Sequence, residues 1–260
     1  MTLFDGQVAL VAGATGELGA AVCESLCAEG AEVILLGRDG PALEAVAARI
    51  ASRGGRAHAR LCDLTDGIAT DATVDEIART FGAIDVLVTA AGTTRRVPAH
   101  EATDADYAHA MENKFLINVR LVMSVARVMR RQGTGRMVVV SGVGGTQPMD
   151  VHLPGGSANA ALSLFAKGYA RVLAPEGVAL NVVNPGAVAT SRLIGHHQAR
   201  AEALGVSLDE ARAHLLSDIP WGREGQVAEV ADVVVFLASP RASFIVAESV
   251  NVDGGQVAGL

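Results

Sequence analysis

After an apolar run from Val8 to Ala12 the chain reads Gly13-Ala14-Thr15-Gly16-Glu17-Leu18-Gly19 and enters an apolar helical segment, Ala20 to Ala28. Glycines in such a turn let the backbone approach a pyrophosphate, whose charge is stabilised by N–H groups at the helix start. Gly13, Thr15, Gly16, Leu18 and Gly19 are the candidate contacts. A carboxylate there is costly unless it points to solvent, which is the condition set for Glu17. Arg38 lies just past the next apolar run. A guanidinium there can pair with a 2′-phosphate, where an acidic residue would bind a free ribose, so NADP(H) is favoured over NAD(H). Arg192, in Thr190-Ser191-Arg192, suits a substrate carboxylate bidentately. His152 has the right pKa range for acid–base work near neutrality. His196 and His197 lack a third ligand at metal spacing, so no metal is expected. Cys23, Cys27 and Cys62 show no Cys-x-x-Cys spacing and read as small buried hydrophobes.

These groups need a scaffold, and apolar runs alternate with amphipathic stretches throughout. Strands are predicted at Val8 to Ala12, Val33 to Leu36, Ala57 to Leu61, Val86 to Thr89, Met137 to Val140, Ala179 to Val183 and Ser249 to Val252. Long helices are predicted near Asp104 to Arg131 and Ser157 to Leu173. The polar stretch from Ser191 to Ser217, helix-like over Leu208 to Leu216, reads as a lid over a site. Right-handed crossovers then give an α/β fold: one domain over residues 1–260, a Rossmann-type doubly wound seven-stranded parallel sheet, its ligand outside the carboxyl ends of the strands.

With 260 residues, half of them hydrophobic, the chain can bury one large core. A net charge of -7 with scattered basic residues gives no footprint for a nucleic acid. No apolar run reaches about 18 residues, so neither a membrane span nor a leader is expected and the reading is cytoplasmic.

Over its whole length the chain resembles the short-chain dehydrogenase/reductase family. Ala12 to Gly19 is similar to the family's Thr-Gly-x-x-x-Gly-x-Gly, with Glu17 at the middle glycine. Asp63-Leu64 resembles the pair that contacts the adenine, and Ala91-Gly92 the end of Asn-Asn-Ala-Gly, Thr89 and Ala90 replacing the asparagines. Asn181 to Thr190 resembles the segment Pro-Gly-x-Val-x-Thr, which implies that Pro185, Gly186, Val188 and Thr190 hold the nicotinamide carboxamide. Asn251 to Gly255 resembles the C-terminal Val-Asp-Gly-Gly.

The same resemblance implies a proton-donating Tyr four residues before a Lys, a Ser on the carbonyl and an Asn on a relay water. Anchored on Asn159-Ala160-Ala161-Leu162, the Lys position is Asn159, the Tyr position Gly155 and the Ser position Gly142, with Ser141 adjacent. Asn113 matches the relay asparagine. Neither Tyr107 nor Tyr169 has a lysine four residues on. His152 stands seven residues before Asn159, the spacing at which the related enoyl reductases place their Tyr. Asn-Ala-Ala-Leu, Ile219-Pro220 and Arg223 are similar to a divergent branch that includes the olefin reductase of bacilysin biosynthesis. Three readings follow. The first is a reductase that adds hydride to an enone-type small molecule without Ser-Tyr-Lys catalysis, through Asn113, Ser141, His152 and Asn159. The second is an inactive subunit assembling with an active paralogue, and the third a non-redox isomerase or cyclase. The family implies a homodimer, a homotetramer or a hetero-oligomer.

Overall fold

The computed structural model describes residues 2–258. Seven strands form one parallel sheet: β1 (Val8–Ala12), β2 (Glu32–Gly37), β3 (Arg56–Leu61), β4 (Val86–Thr89), β5 (Gly135–Val140), β6 (Val178–Pro185) and β7 (Ser249–Val252). Their spatial order is β3-β2-β1-β4-β5-β6-β7. The central strands are buried along their whole length, as β-branched runs covered on both faces must be. The winding reverses between β1 and β4, and there the crevice for a ligand opens.

Helices cover both faces. On one side α1 (Glu17–Ala28), α2 (Gly40–Ala51) and α9 (Val227–Ala238) pack Leu26, Leu43, Val46 and Val234 against the sheet. On the other, α3 (Gly67–Phe81), α5 (Ile117–Gln132) and α6 (Leu153–Leu173) contribute Ile77, Leu121, Val125 and Leu162. Among the described residues, no helix is long and apolar enough to cross a membrane.

Three boundaries differ from expectation. Helix α1 begins at Glu17 rather than Ala20. Helix α6 begins at Leu153, with Pro154 in its first turn, so Gly155 and Gly156 are helical. The run from Asp104 is not one regular helix: α4 (Asp104–Ala110), which carries Tyr107, passes into a π-helical turn, Met111–Leu116, before α5.

The stretch predicted as a lid forms α7 (Ser191–Leu204) and α8 (Leu208–Leu216). The side chain of His196 lies outside the described residues, and His197 turns inward to Glu224, 3.0 Å from its Oε1. Arg212 of α8 donates to both oxygens of the same carboxylate, at 3.1 and 2.9 Å. Burial pushes the Glu224 carboxyl up, but the Arg212 and His197 hydrogen bonds outweigh it and hold it below its usual range. Its stabilising effect is therefore complete above about pH 4.3 and is lost as pH falls through the lower folded value. Glu224→Ala leaves a buried histidine without its carboxylate and is expected to cost about 2–3 kcal/mol in urea unfolding.

Candidate functional site

The glycine turn sits at the carboxyl end of β1, and Gly16 caps α1 without any side-chain hydrogen bond. By contrast, Asp39, Asp66, Thr103, Thr190 and Ser207 cap their helices with side-chain oxygens. The uncapped first turn of α1 thus keeps N–H groups for an anion. Gly19 is required by packing, since a Cβ there would overlap the Gly13 carbonyl. Half-buried Leu18 packs on the core below.

Beside this turn opens a cleft of about 520 Å³ lined by Thr15, Arg38, Asp39, Gly40 and Pro41. Arg38 is exposed, while the neighbouring acid is already engaged: Asp39 accepts from the Ala42 N–H at 3.0 Å as the cap of α2. One oxygen of Asp39 is thus engaged by the helix, and the exposed guanidinium beside it is placed to meet a phosphate. Asp63 follows β3 and accepts from the Thr65 N–H and hydroxyl at 3.0 and 2.9 Å, bonds that hold its carboxyl below the usual range. Leu64 beside it is buried.

Glu17 is exposed, but its carboxylate is engaged. Its carboxylate accepts from the Ser191 N–H at 2.9 and 3.2 Å and from the Ser191 hydroxyl at 3.3 Å. It therefore ties the glycine turn to the first turn of α7, where the helix dipole favours a negative charge. A pyrophosphate on α1 would meet this like charge. Glu17→Gln is expected to tighten NADPH binding about three- to tenfold in a fluorescence titration, an effect of order 1 kcal/mol for a charge pair near a surface. Unchanged or weaker affinity would show that the carboxylate lies clear of the cofactor.

The turn after β6 is fixed by backbone pairing. Gly225 donates to the Ala187 carbonyl at 2.9 Å and accepts from the Ala189 N–H at 2.8 Å, holding Val188 between them. The Thr190 hydroxyl donates to the Val188 carbonyl and accepts from the Leu193 N–H, both at 3.3 Å. Gly186, after Pro185, packs so closely on Asp253 that a Cβ would come within 2.7 Å of the Asp253 Cβ.

At the expected catalytic positions the side chains are rearranged. A Cβ on Gly155 would overlap the His152 ring and the Thr94 hydroxyl, so the imidazole occupies the space into which a side chain at 155 would project. His152 also stands at the N-cap position of α6, with no side-chain hydrogen bond to the helix start. Asn159 is buried, with its amide nitrogen 3.0 Å from where a Cβ on Gly142 would lie and its Oδ1 without a hydrogen-bond partner. A ribose hydroxyl could satisfy that acceptor.

Two of the expected residues are engaged within the protein. Ser141 does not replace the missing hydroxyl at Gly142: it is buried, donates to the Asn159 carbonyl at 3.0 Å and accepts from the Ser163 hydroxyl at 3.2 Å. Asn113 bonds back to its own helix. Its amide donates to the His109 carbonyl at 3.1 Å and lies 3.1 Å from His109 Nδ1, one turn back.

The inward residue of that turn is Lys114, which no motif indicated. Its ammonium donates to the Val140 carbonyl at 3.1 Å, at the end of β5. Asn118 holds the turn in place by donating to the Lys114 carbonyl at 2.7 Å and to the Ala91 carbonyl at 3.2 Å. Burial pushes the Lys114 ammonium down to about 8, with the like charge of Arg192 acting in the same direction. Arg192 in turn donates to the Thr94 carbonyl at 3.2 Å. Thr94, His152, Gly155, Lys114 and Arg192 thus converge at the carboxyl ends of β4 and β5.

A family model described as enoyl-(acyl carrier protein) reductase matches residues 13–256. The chain is 32% identical to the 3-oxoacyl-[acyl-carrier-protein] reductase FabG of Escherichia coli, over 97% of this chain and 98% of that one. Among solved structures it is similar to an actinorhodin polyketide ketoreductase with NADPH, at TM-score 0.92 and 29% identity, covering 98% and 99% of the two chains. An NADPH-dependent reductase involved in bacilysin biosynthesis superposes at TM-score 0.91 and 23% identity, covering 98% and 99%, which bears on the fold.

Proposed function

Because the chain belongs to the short-chain dehydrogenase/reductase family, we propose that it is an NADPH-dependent reductase that acts without the Ser-Tyr-Lys set and adds hydride to the far carbon of an enone-type small molecule. The observation that carries this reading is the His152 ring filling the space over Gly155 while the cofactor turns around it stay formed. Bound NADPH supplies the hydride.

The residues divide the remaining work. Gly13, Thr15, Gly16, Leu18 and Gly19 hold the pyrophosphate, Arg38 the 2′-phosphate, and Asp63, Leu64, Ala91 and Gly92 flank the adenosine and the groove. Pro185, Gly186, Val188 and Thr190 orient the carboxamide, and the Asn159 amide faces the ribose. Reduction of a carbonyl carbon would produce an alkoxide, which demands a strong proton donor at once. Conjugate addition produces an enolate, which hydrogen bonds can hold until solvent protonates carbon. His152 is placed to donate a hydrogen bond to that oxygen, and Arg192 to take a substrate carboxylate. Residues 191–217 act as the lid, tied down through Glu17, Thr94 and Glu224.

An apolar groove lined by Phe115 of the π-helical turn and by Ala161, Leu164, Phe165, Tyr169 and Val172 of α6 supports assembly through this face, as a homodimer or tetramer or with a paralogue. One feature favours the second reading, an inactive subunit: the Glu17 carboxylate beside the pyrophosphate turn. Deuterated NADPH separates the readings. Deuterium on the far carbon of a reduced enone supports the reductase, deuterium on a carbinol carbon refutes the conjugate route, and no transfer with no nucleotide binding favours the inactive subunit.

A further inference from the structure

Lysine occurs only twice in this chain, at Lys114 and Lys167, although lysine and arginine together number 21. Lys167 is an exposed residue of α6. Lys114 is placed by structure: the π-helical turn brings it inward, Asn118 holds its carbonyl, and its ammonium reaches Val140 at 3.1 Å. A Cβ on Gly92 would lie 3.2 Å from both Cα and Cδ of Lys114, so the aliphatic stem runs along the end of β4. The charge that acts on it is that of Arg192, of the same sign. A desolvated cation facing another cation is costly in the absence of an anion. Such an arrangement does work where negative charge has to be met during a reaction.

We infer that Lys114 takes up the negative charge formed on the substrate oxygen, holding the enolate through its N–H groups and passing it a proton, with Arg192 reinforcing the field from α7. This rests on the reductase reading above. When hydride from the reduced nicotinamide adds to the far carbon of an enone, the carbon–carbon π pair shifts and the charge appears on oxygen. One N–H bond of Lys114 then breaks as an O–H bond forms, leaving an enol and a neutral amine. Water returns a proton to the amine, and the enol loses its O–H proton to solvent while the near carbon gains one. Enone, hydride and one solvent proton give the saturated ketone. An ammonium near 8 is mostly protonated at neutrality yet close enough to it to give up its proton. Among the described residues the charged group acting on it is Arg192 from α7, which binds the Thr94 carbonyl, and Thr94 and His152 both lie against Gly155 at the start of α6.

Trace acetylation with acetic anhydride at neutral pH, read by mass spectrometry, tests the placement without any substrate, and Lys167 serves as the internal reference. Lys114 is expected to react at least about tenfold faster than an ordinary lysine of pKa near 10.4. Bound NADP+, whose presence is checked by displacement of fluorescent NADPH, is expected to slow it. A Lys114 that reacts more slowly than Lys167 overturns the inference whether or not nucleotide binds. The second arm follows NADPH oxidation with cyclohexenone as probe. Lys114→Met is expected to lower kcat about 100-fold or more with NADPH affinity held within about twofold, and Lys114→Arg, which keeps the charge but gives up no proton, to fall between. Wild-type kcat in Lys114→Met overturns the inference and leaves the reductase reading standing. Wild-type protein that binds no NADPH overturns the reductase reading instead, and the acetylation ratio still decides where Lys114 points.

Discussion

Gly92→Ala is expected to lose roughly 3 kcal/mol or more of folding stability in denaturant unfolding. Gly92 has φ 108°, where a residue with a Cβ is strained by about 1–2 kcal/mol. The new methyl would also overlap the Asn113 carbonyl oxygen, which belongs to the backbone and cannot swing aside as a side chain does. Relief requires the π-helical turn to move outward, and overpacking of this kind costs a further 1–3 kcal/mol or so. The same shift would carry Lys114 toward solvent, so its amine should return toward an ordinary value of about 10.4. A variant of wild-type stability with an unchanged Lys114 would refute the close approach of this turn to β4.

Lys114→Met should do the opposite and stabilise the protein at neutral pH. The folded state holds this ammonium down from 10.5 to about 8, so the unfolded chain binds the proton more tightly. Wild-type stability therefore carries a penalty below about pH 8 that is relieved as pH rises from there toward about 10.4. At about 1.4 kcal/mol per unit the penalty is of order 1–3 kcal/mol, the lower figure allowing for the accessible surface that the residue retains and for the lost bond to Val140. The methionine variant should unfold at higher urea at pH 7 and lose the rise in stability that the wild type shows above pH 8. Equal stability of the two proteins, with parallel pH profiles, would mean that the ammonium is solvated.

The central strands were legible because buried parallel strands are continuous apolar runs, and the bounds of β1, β4, β7 and α8 match the expected ones. Helix α8 was sharp because Ser207 and Glu210 form a capping box. The start of α6 was hidden by Gly155-Gly156, poor helix formers that are helical here under tertiary constraint. Lys114 was hidden for a physical reason. A π-helical turn inserts a residue into the helical repeat, so the side chain facing the cleft moves from Asn113 to Lys114, and no spacing rule for a regular helix shows it. The signal that could have found Lys114 was its rarity in a chain that otherwise relies almost wholly on arginine for positive charge. The bond from the Ser141 hydroxyl to the Asn159 carbonyl of α6 was hidden too, because it joins residues 18 apart that only the fold brings together. Glu17 was recognised as a carboxylate in a phosphate turn, but its partner Ser191 lies 174 residues away and only the folded chain joins them.

The measurement that bears most directly on the central claim is a titration of the purified protein with NADPH and with NADH, followed by nicotinamide fluorescence and repeated on Arg38→Ala. An NADPH-dependent reductase should bind NADPH more tightly than NADH, and Arg38→Ala should weaken NADPH by about 10- to 100-fold while leaving NADH nearly unchanged, the loss expected for one charge-assisted pair to a phosphate. Absence of binding by either nucleotide, or equal binding of both that ignores Arg38, would contradict it.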